Sequence, residues 1–266
     1  MIFAADRVTI DGIFFAAGAI KGLIGLGLPV VCMGLLTLIM TPAEAAKVVV
    51  VPAFITNIQQ AFVGPHLRAV FMRLWPMLLG IVVGTFAAGG LILVVDPRLA
   101  LGLMGTALLA YVMFAWSNVV LAVPRPLEPW AAPVVGFCTG GVAGTTGVLS
   151  IPSVPYMQAL GLDKNALVQA LGLSFLVSTV ALGFSLASDI TVDGAFLGQS
   201  AETIAVAVVG TWAGQHLRQF VSAHHFRTLF LAGLAGIGFS LCYRAAADLP
   251  GHAFASVLDG LMMIGH

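Results

Sequence analysis

The chain has 266 residues, and its 11 Lys and Arg balance 11 Asp and Glu to a formal net charge of zero. Hydrophobic residues make up 60% and charged residues 8%, against about 45–50% and about 25% in soluble domains. So few charges cannot cover a soluble fold of this size, which makes lipid the solvent. The absence of any basic or acidic block excludes nucleic acid and polyanionic partners.

In chain order, apolar runs separated by Pro, Asp, Arg and His predict about eight membrane segments, near 8–40, 44–65, 74–95, 98–122, 130–160, 165–187, 195–220 and 226–246. The opening "MIFAADRVTIDG" lacks the basic start and cleavage site of a signal peptide, so the first run is expected to be retained. That run contains "GAIKGLIGLGLP", Gly18 to Pro29, with Lys21 in its middle. Lys21 lies about 16–18 Å along a helix from the start of its segment. A lysine at a helix centre costs about 2.5–3.5 kcal/mol on insertion scales. A fixed charge for an anion, an ammonium snorkelling to the interface and a structural partner elsewhere are the three readings of it. Gly22, Gly25 and Gly27 interrupt the helix and Pro29 removes a donor, so a helix restarting here would aim free N–H groups at an anion.

The second segment carries Thr56 and Asn57, and the third carries Gly80 and Gly84, spaced for close helix packing. "VPRPLEPW", Val123 to Trp130, reads as a linker after the fourth segment. The fifth contains "GGVAGTTGVLSIP", with Gly144, Thr145, Thr146, Gly147 and Ser150. Ala143 stands where the first run has Lys21, and the two threonines and Ser150 would add hydroxyl donors. Ser178 and Thr179 follow in the sixth segment. The seventh holds Gly210, Gly214 and Glu202, a carboxylate that either carries a coupling proton or marks the boundary. The tail after 248 is too short to cross and is expected at the interface.

The halves repeat. A shift of 122 lays Gly18, Gly22 and Gly25 on Gly140, Gly144 and Gly147, and Thr56-Asn57 on Ser178-Thr179. A slightly larger shift lays "GTFAAG" from Gly84 on "GTWAGQ" from Gly210. The expected organisation is a first repeat over 1–122, a linker over 123–130, a second repeat over 131–248 and a tail over 249–266. Eight full crossings would make the repeats parallel, with Lys and Arg split evenly between the two sides. If segments 1 and 5 instead fold back as broken or re-entrant hairpins, the repeats invert. Arg68, Arg73, Arg125, Lys164, Arg218 and Arg227 then share the inside. Inverted repeats with broken helices are a common transporter plan, and that arrangement is expected.

"GLSF", Gly172 to Phe175, with His216 as a distant base, faintly resembles an intramembrane serine protease motif, but the duplication makes Ser174 the counterpart of Pro52 without invoking catalysis. Cys32, Cys138 and Cys242 show no metal-ligand spacing, and no metal or cofactor is expected.

The glycine run opening the first long segment, its relative in the fifth and the "GT-x-x-G" pattern in the third and seventh resemble the TauE/SafE family of sulfite and organosulfonate exporters. Where family members carry a fuller GxGGG cluster, this chain has Gly25-Leu26-Gly27-Leu28-Pro29. The resemblance implies an all-α, multi-pass protein of the bacterial inner membrane that moves a small sulfur-containing anion. Read together, the residues lead us to expect a transporter working by alternating access, its substrate held near the midplane by Lys21, Gly22, Gly25, Gly27, Gly144, Thr145, Thr146, Gly147 and Ser150. Thr56, Asn57, Ser178 and Thr179 would form a second tier, and a homo-oligomer is left open. A passive anion channel, and a non-transporting scaffold or intramembrane enzyme, are the alternatives.

Overall fold

The computed structural model describes residues 4–24, 28–88, 90–117, 122–190, 193–217, 220 and 223–247. Gly25, Gly27, Arg218 and the tail over 249–266 therefore lie outside the described residues. Among those described there is no strand, and helices carry almost all of the chain. They are α1 (Ala4–Ile24), α2 (Leu28–Leu36), α3 (Pro42–Phe62), α4 (Leu67–Ala87), the one-turn α5 (Leu91–Val94) and α6 (Pro97–Trp116). Then come α7 (Glu128–Thr146), α8 (Ser153–Ala159), α9 (Lys164–Leu186), α10 (Gly194–Leu217) and α11 (Ala223–Ala247).

Five helical stretches, those of α3, α4, α6, α9 and α11, are long and apolar enough to cross a membrane. Eight segments were expected. α1 is long enough but carries Asp6, Arg7, Asp11 and Lys21, and α7 is diluted by glycine and threonine. The third expected segment, α4, starts at Leu67 rather than near residue 74, because Arg73 does not end it. Its guanidinium makes two hydrogen bonds to Glu128, at 2.9 and 2.7 Å, and another to the Leu160 carbonyl. The expected linker is also partly structured: Arg125–Leu127 forms a 3₁₀ turn and α7 has begun by Glu128.

Local chemistry fixes the helix starts. Thr41 and Glu44 form a capping box on α3, with Pro42 in the first turn. Asp163 accepts from the N–H groups of Asn165 and Ala166 at the start of α9. At the far end of α7, Gly147 takes φ +72°, and its N–H donates to the Ala143 carbonyl. This left-handed cap suits glycine. Residues 148–150 are irregular before α8 begins at Ser153.

Contacts set the directions of the helices. α3 and α9 run antiparallel: Lys47 pairs with Asp189 at one end. At the other, Gln169 bonds the carbonyls of Ala61 and Gly64 and the N–H of His66. α6 and α11 are antiparallel too, since Arg227 bonds the Ala115 carbonyl while Gly105 faces Gly238 and Cys242. α4 and α7 run parallel, as do α1 and α10. These two parallel pairs have the closest approaches. A Cβ on Gly140 would strike the Ile81 carbonyl and the Thr85 N–H; one on Gly18 would strike the Ala207 carbonyl and the Thr211 N–H.

The chain over 128–160 leaves and returns at one end. Val123 N–H donates to the Ala159 carbonyl, the Tyr156 hydroxyl to that of Glu128, and Arg73 holds both Glu128 and Leu160. At the opposite end, Arg244 in the last turn of α11 donates to the carbonyls of Thr37 and Leu38, just beyond α2. Long apolar side chains such as Trp75, Leu79, Val83 and Phe86 on α4 are exposed along one stripe, as a lipid-facing helix requires.

Candidate functional site

Lys21 lies three residues before the last residue of α1 and is only 7% exposed. Its ammonium donates to Asn57 Oδ1 at 2.8 Å. Asn57, fully buried on α3, passes the polarity on: its Nδ2 donates to Thr179 Oγ1 at 3.3 Å, and the Thr179 hydroxyl donates to the Phe175 carbonyl at 2.7 Å. Every partner in this relay is neutral. Among the described residues the two ion pairs are Lys47–Asp189 and Arg73–Glu128, and Lys21 belongs to neither. A buried cation without a counter-ion is costly, and here it faces an open space.

That space is a cavity of about 770 Å³ between the ends of α1, α3, α6, α8 and α10 and the starts of α9 and α11. Lys21, Gly22 and Thr56 form part of its wall, and Gln59, Gln60, Gln158 and Gln215 add amides. Lys164 and Arg227, both exposed, also line it. Among the described residues, no carboxylate lines it. The remaining wall is apolar, including Leu167, Leu171 and Phe230. A chamber with three cationic side chains, amide donors and no acid is suited to an anion and repels cations.

The sequence-predicted residues divide into two groups. Lys21, Gly22 and Thr56 border the cavity, with Asn57 directly behind the ammonium and Thr179 behind Asn57. Gly144, Thr145, Thr146, Gly147, Ser150 and Ser178 do not border it. Thr145 donates to the Gly141 and Val142 carbonyls, and Thr146 to Val142 while accepting from Val148 N–H. Gly144 packs against Thr85 and Ala88, and Gly147 against Met33 and Ile92. Gly22 contributes by letting α1 approach the α10 backbone at Thr211 and Gln215. Glu202 is exposed on α10, beside Asp11 of α1 and away from the cavity. Ser174 is fully buried with no hydrogen-bond partner among the described residues, and His216 bonds the Trp212 carbonyl, so the two are not joined as a catalytic pair.

Lys164 and Arg227 were legible only as flanking positive charges, and the four glutamines of the wall were not singled out as site residues. Their common signal was position. All sit near a helix end, on the side where α4 begins with Arg68 and Arg73.

Comparison with family models matches residues 12–241 to the family described as sulfite exporter TauE/SafE. Comparison with curated proteins and with solved structures finds no match.

Proposed function

The chain belongs to the sulfite exporter TauE/SafE family, and on that premise we propose that it carries sulfite or a small organosulfonate across the bacterial inner membrane by alternating access. The observation that carries this reading is Lys21, buried, hydrogen-bonded to a neutral amide and bordering a cavity that no carboxylate lines among the described residues. A sulfur oxyanion there completes the missing ion pair through charge-assisted hydrogen bonds. Thr56 and the glutamines supply further polar groups, and the apolar wall leaves room for a short organic body.

We read the fold as two inverted repeats. The pairs of α3 with α9 and of α6 with α11 support this, because equivalent helices related by an axis in the membrane plane must run antiparallel. Asn57 and Thr179, 122 positions apart, touch each other, as residues on such an axis do. The glycine contacts are reciprocal as well: Gly18 on Ala207 and Thr211 repeats Gly140 on Ile81 and Thr85. In this reading 8–40 and 130–160 are re-entrant hairpins, each returning to the side it left. The axis then puts Asn57, and the Lys21 ammonium bonded to it, at mid-depth.

Arg68, Arg73, Arg125, Lys164 and Arg227 lie at the cavity's end of the bundle, and Arg7, Lys47, Arg98 and Arg244 at the other. The excess of one positive charge at the cavity's end supports a mouth facing the cytoplasm. The state described is then the one that loads from inside, as an exporter requires. Met33 and Ile92 meeting at Gly147 speak against a continuous pore. In proteoliposomes, Lys21→Ala is expected to reduce sulfite flux to the level of empty vesicles while its melting profile stays within a few degrees of the parent. Flux at the parent rate would remove Lys21 from the mechanism.

A further inference from the structure

The second repeat contains hydroxyl groups that the inward cavity does not use. Ser150, Ser174 and Ser178 are buried, and their oxygens have no hydrogen-bond partner among the described residues. Ser153, at the start of α8, is in the same position; an unpaired buried hydroxyl costs about 1–3 kcal/mol, so such groups call for a ligand or water in some state of the protein. Ser178 adjoins Thr179, which bonds Asn57, so it stands one residue from the relay behind Lys21. By the shift of 122, Ser178 is the counterpart of Thr56, which lines the inward cavity. Thr145 is likewise the counterpart of Leu23, and Thr85, by the larger shift, that of Thr211, both of which line it too.

Charge does not follow the same correspondence. Lys21 maps on Ala143 and Lys164 on Pro42; Gln59 and Gln60 map on Ala181 and Leu182. The equivalent space in the second repeat would therefore hold hydroxyls and no cation. Two residues beyond Thr145 the chain is closely packed: a Cβ on Gly147 would meet Met33 Cε and Sδ and then Ile92 Cδ1, the last at 3.6 Å. Both side chains are buried, Met33 from α2 and Ile92 from the one-turn α5.

We propose that Ser178, Thr145 and Ser150 line a second, uncharged oxyanion site that opens to the outside when Met33 and Ile92 withdraw from Gly147. This rests on the inverted-repeat, alternating-access reading above. An anion bound at Lys21 in the inward state is passed to hydroxyl donors alone in the outward state. Hydroxyls hold an anion less tightly than an ammonium does, so the outer site releases at concentrations at which the inner one is loaded. The asymmetry sets loading and release affinities; a gradient or coupled ion still sets net direction.

The test is cysteine accessibility in sealed, right-side-out vesicles. Ser178→Cys, Thr145→Cys and Thr56→Cys are placed singly in a background with Cys32, Cys138 and Cys242 replaced, and each is confirmed to carry sulfite. A membrane-impermeant charged thiol reagent is then added outside. Ser178→Cys and Thr145→Cys are expected to react at least about tenfold faster during efflux of sulfite preloaded inside the vesicles, with the outside reagent in excess because sulfite itself consumes it, and again when Ile92→Ala weakens the closed state. Thr56→Cys should react only from the inside, and more slowly in Ile92→Ala. If Ile92→Ala does not fold, turnover in the parent background provides the same comparison. Sulfite flux with no outside labelling of either residue, in either condition, overturns the outer site while leaving the transport reading intact. Absence of flux for every small anion would instead remove the reading on which it rests.

Discussion

Asn57 places an acceptor, not a counter-ion, against the Lys21 ammonium. The Thr179 hydroxyl donates to Phe175, so its oxygen can only accept from Asn57 Nδ2; this leaves Asn57 Oδ1 facing Lys21. Replacing the amide by a carboxylate should supply an internal counter-ion of nearly identical shape. We therefore expect Asn57→Asp to weaken sulfite binding at least about tenfold, since a unit charge about 4 Å away is worth several kcal/mol at an effective dielectric near 20. Binding to the purified protein, followed by calorimetry, checks this. Lys21 was legible in sequence because a charge within glycine-rich apolar residues is rare. Asn57 as its partner was not, because a contact across 36 positions is set by how α1 and α3 pack.

At the element scale, the parallel pairs α1/α10 and α4/α7 depend on glycines that no side chain can replace. Gly140→Ala should destabilise the protein by about 1–3 kcal/mol, because the new methyl meets the Ile81 backbone. Gly141→Ala, one position on, has nothing within 4 Å and should be neutral or better. Thermal unfolding in detergent separates the two. At the membrane edge, Arg73 holds the Glu128 carboxyl below its ordinary value of 4.5, chiefly by hydrogen bonding. A depressed carboxylate contributes stability above its unfolded value and loses it as pH falls through the folded one. The parent should thus lose stability below about pH 4.5 more steeply than Glu128→Gln, which should already be weaker at pH 7 by about 1–2 kcal/mol. The sequence made the glycine spacings readable, because close approaches leave a local signature; the Thr41 and Asp163 caps were found only in the structure. The sequence misplaced the start of α4, because Arg73 is accommodated by a partner 55 positions away.

For the whole molecule, composition alone put the chain in lipid, and the 122-residue shift pointed to paired halves. What the sequence could not convey was which face of each repeat is open. Thr145, Thr146 and Ser150 were expected beside Lys21 because their segment repeats its glycine rhythm. In the state described they do not border the cavity, and Thr145 and Thr146 bond carbonyls of their own helix, while Gln59, Gln60, Lys164 and Arg227 line the space next to Lys21. A repeat pattern specifies equivalent positions but not which of two equivalent spaces a given state leaves open. The proposal that a sulfur oxyanion sits in that space, against the Lys21 ammonium, is tested most directly by locating the anion. Crystals soaked in selenite, a heavier analogue of sulfite, should show an anomalous selenium peak with an oxygen about 3 Å from Lys21 Nζ, and Lys21→Ala crystals should show none. A peak elsewhere in the molecule, or an unchanged peak in Lys21→Ala, would contradict the account.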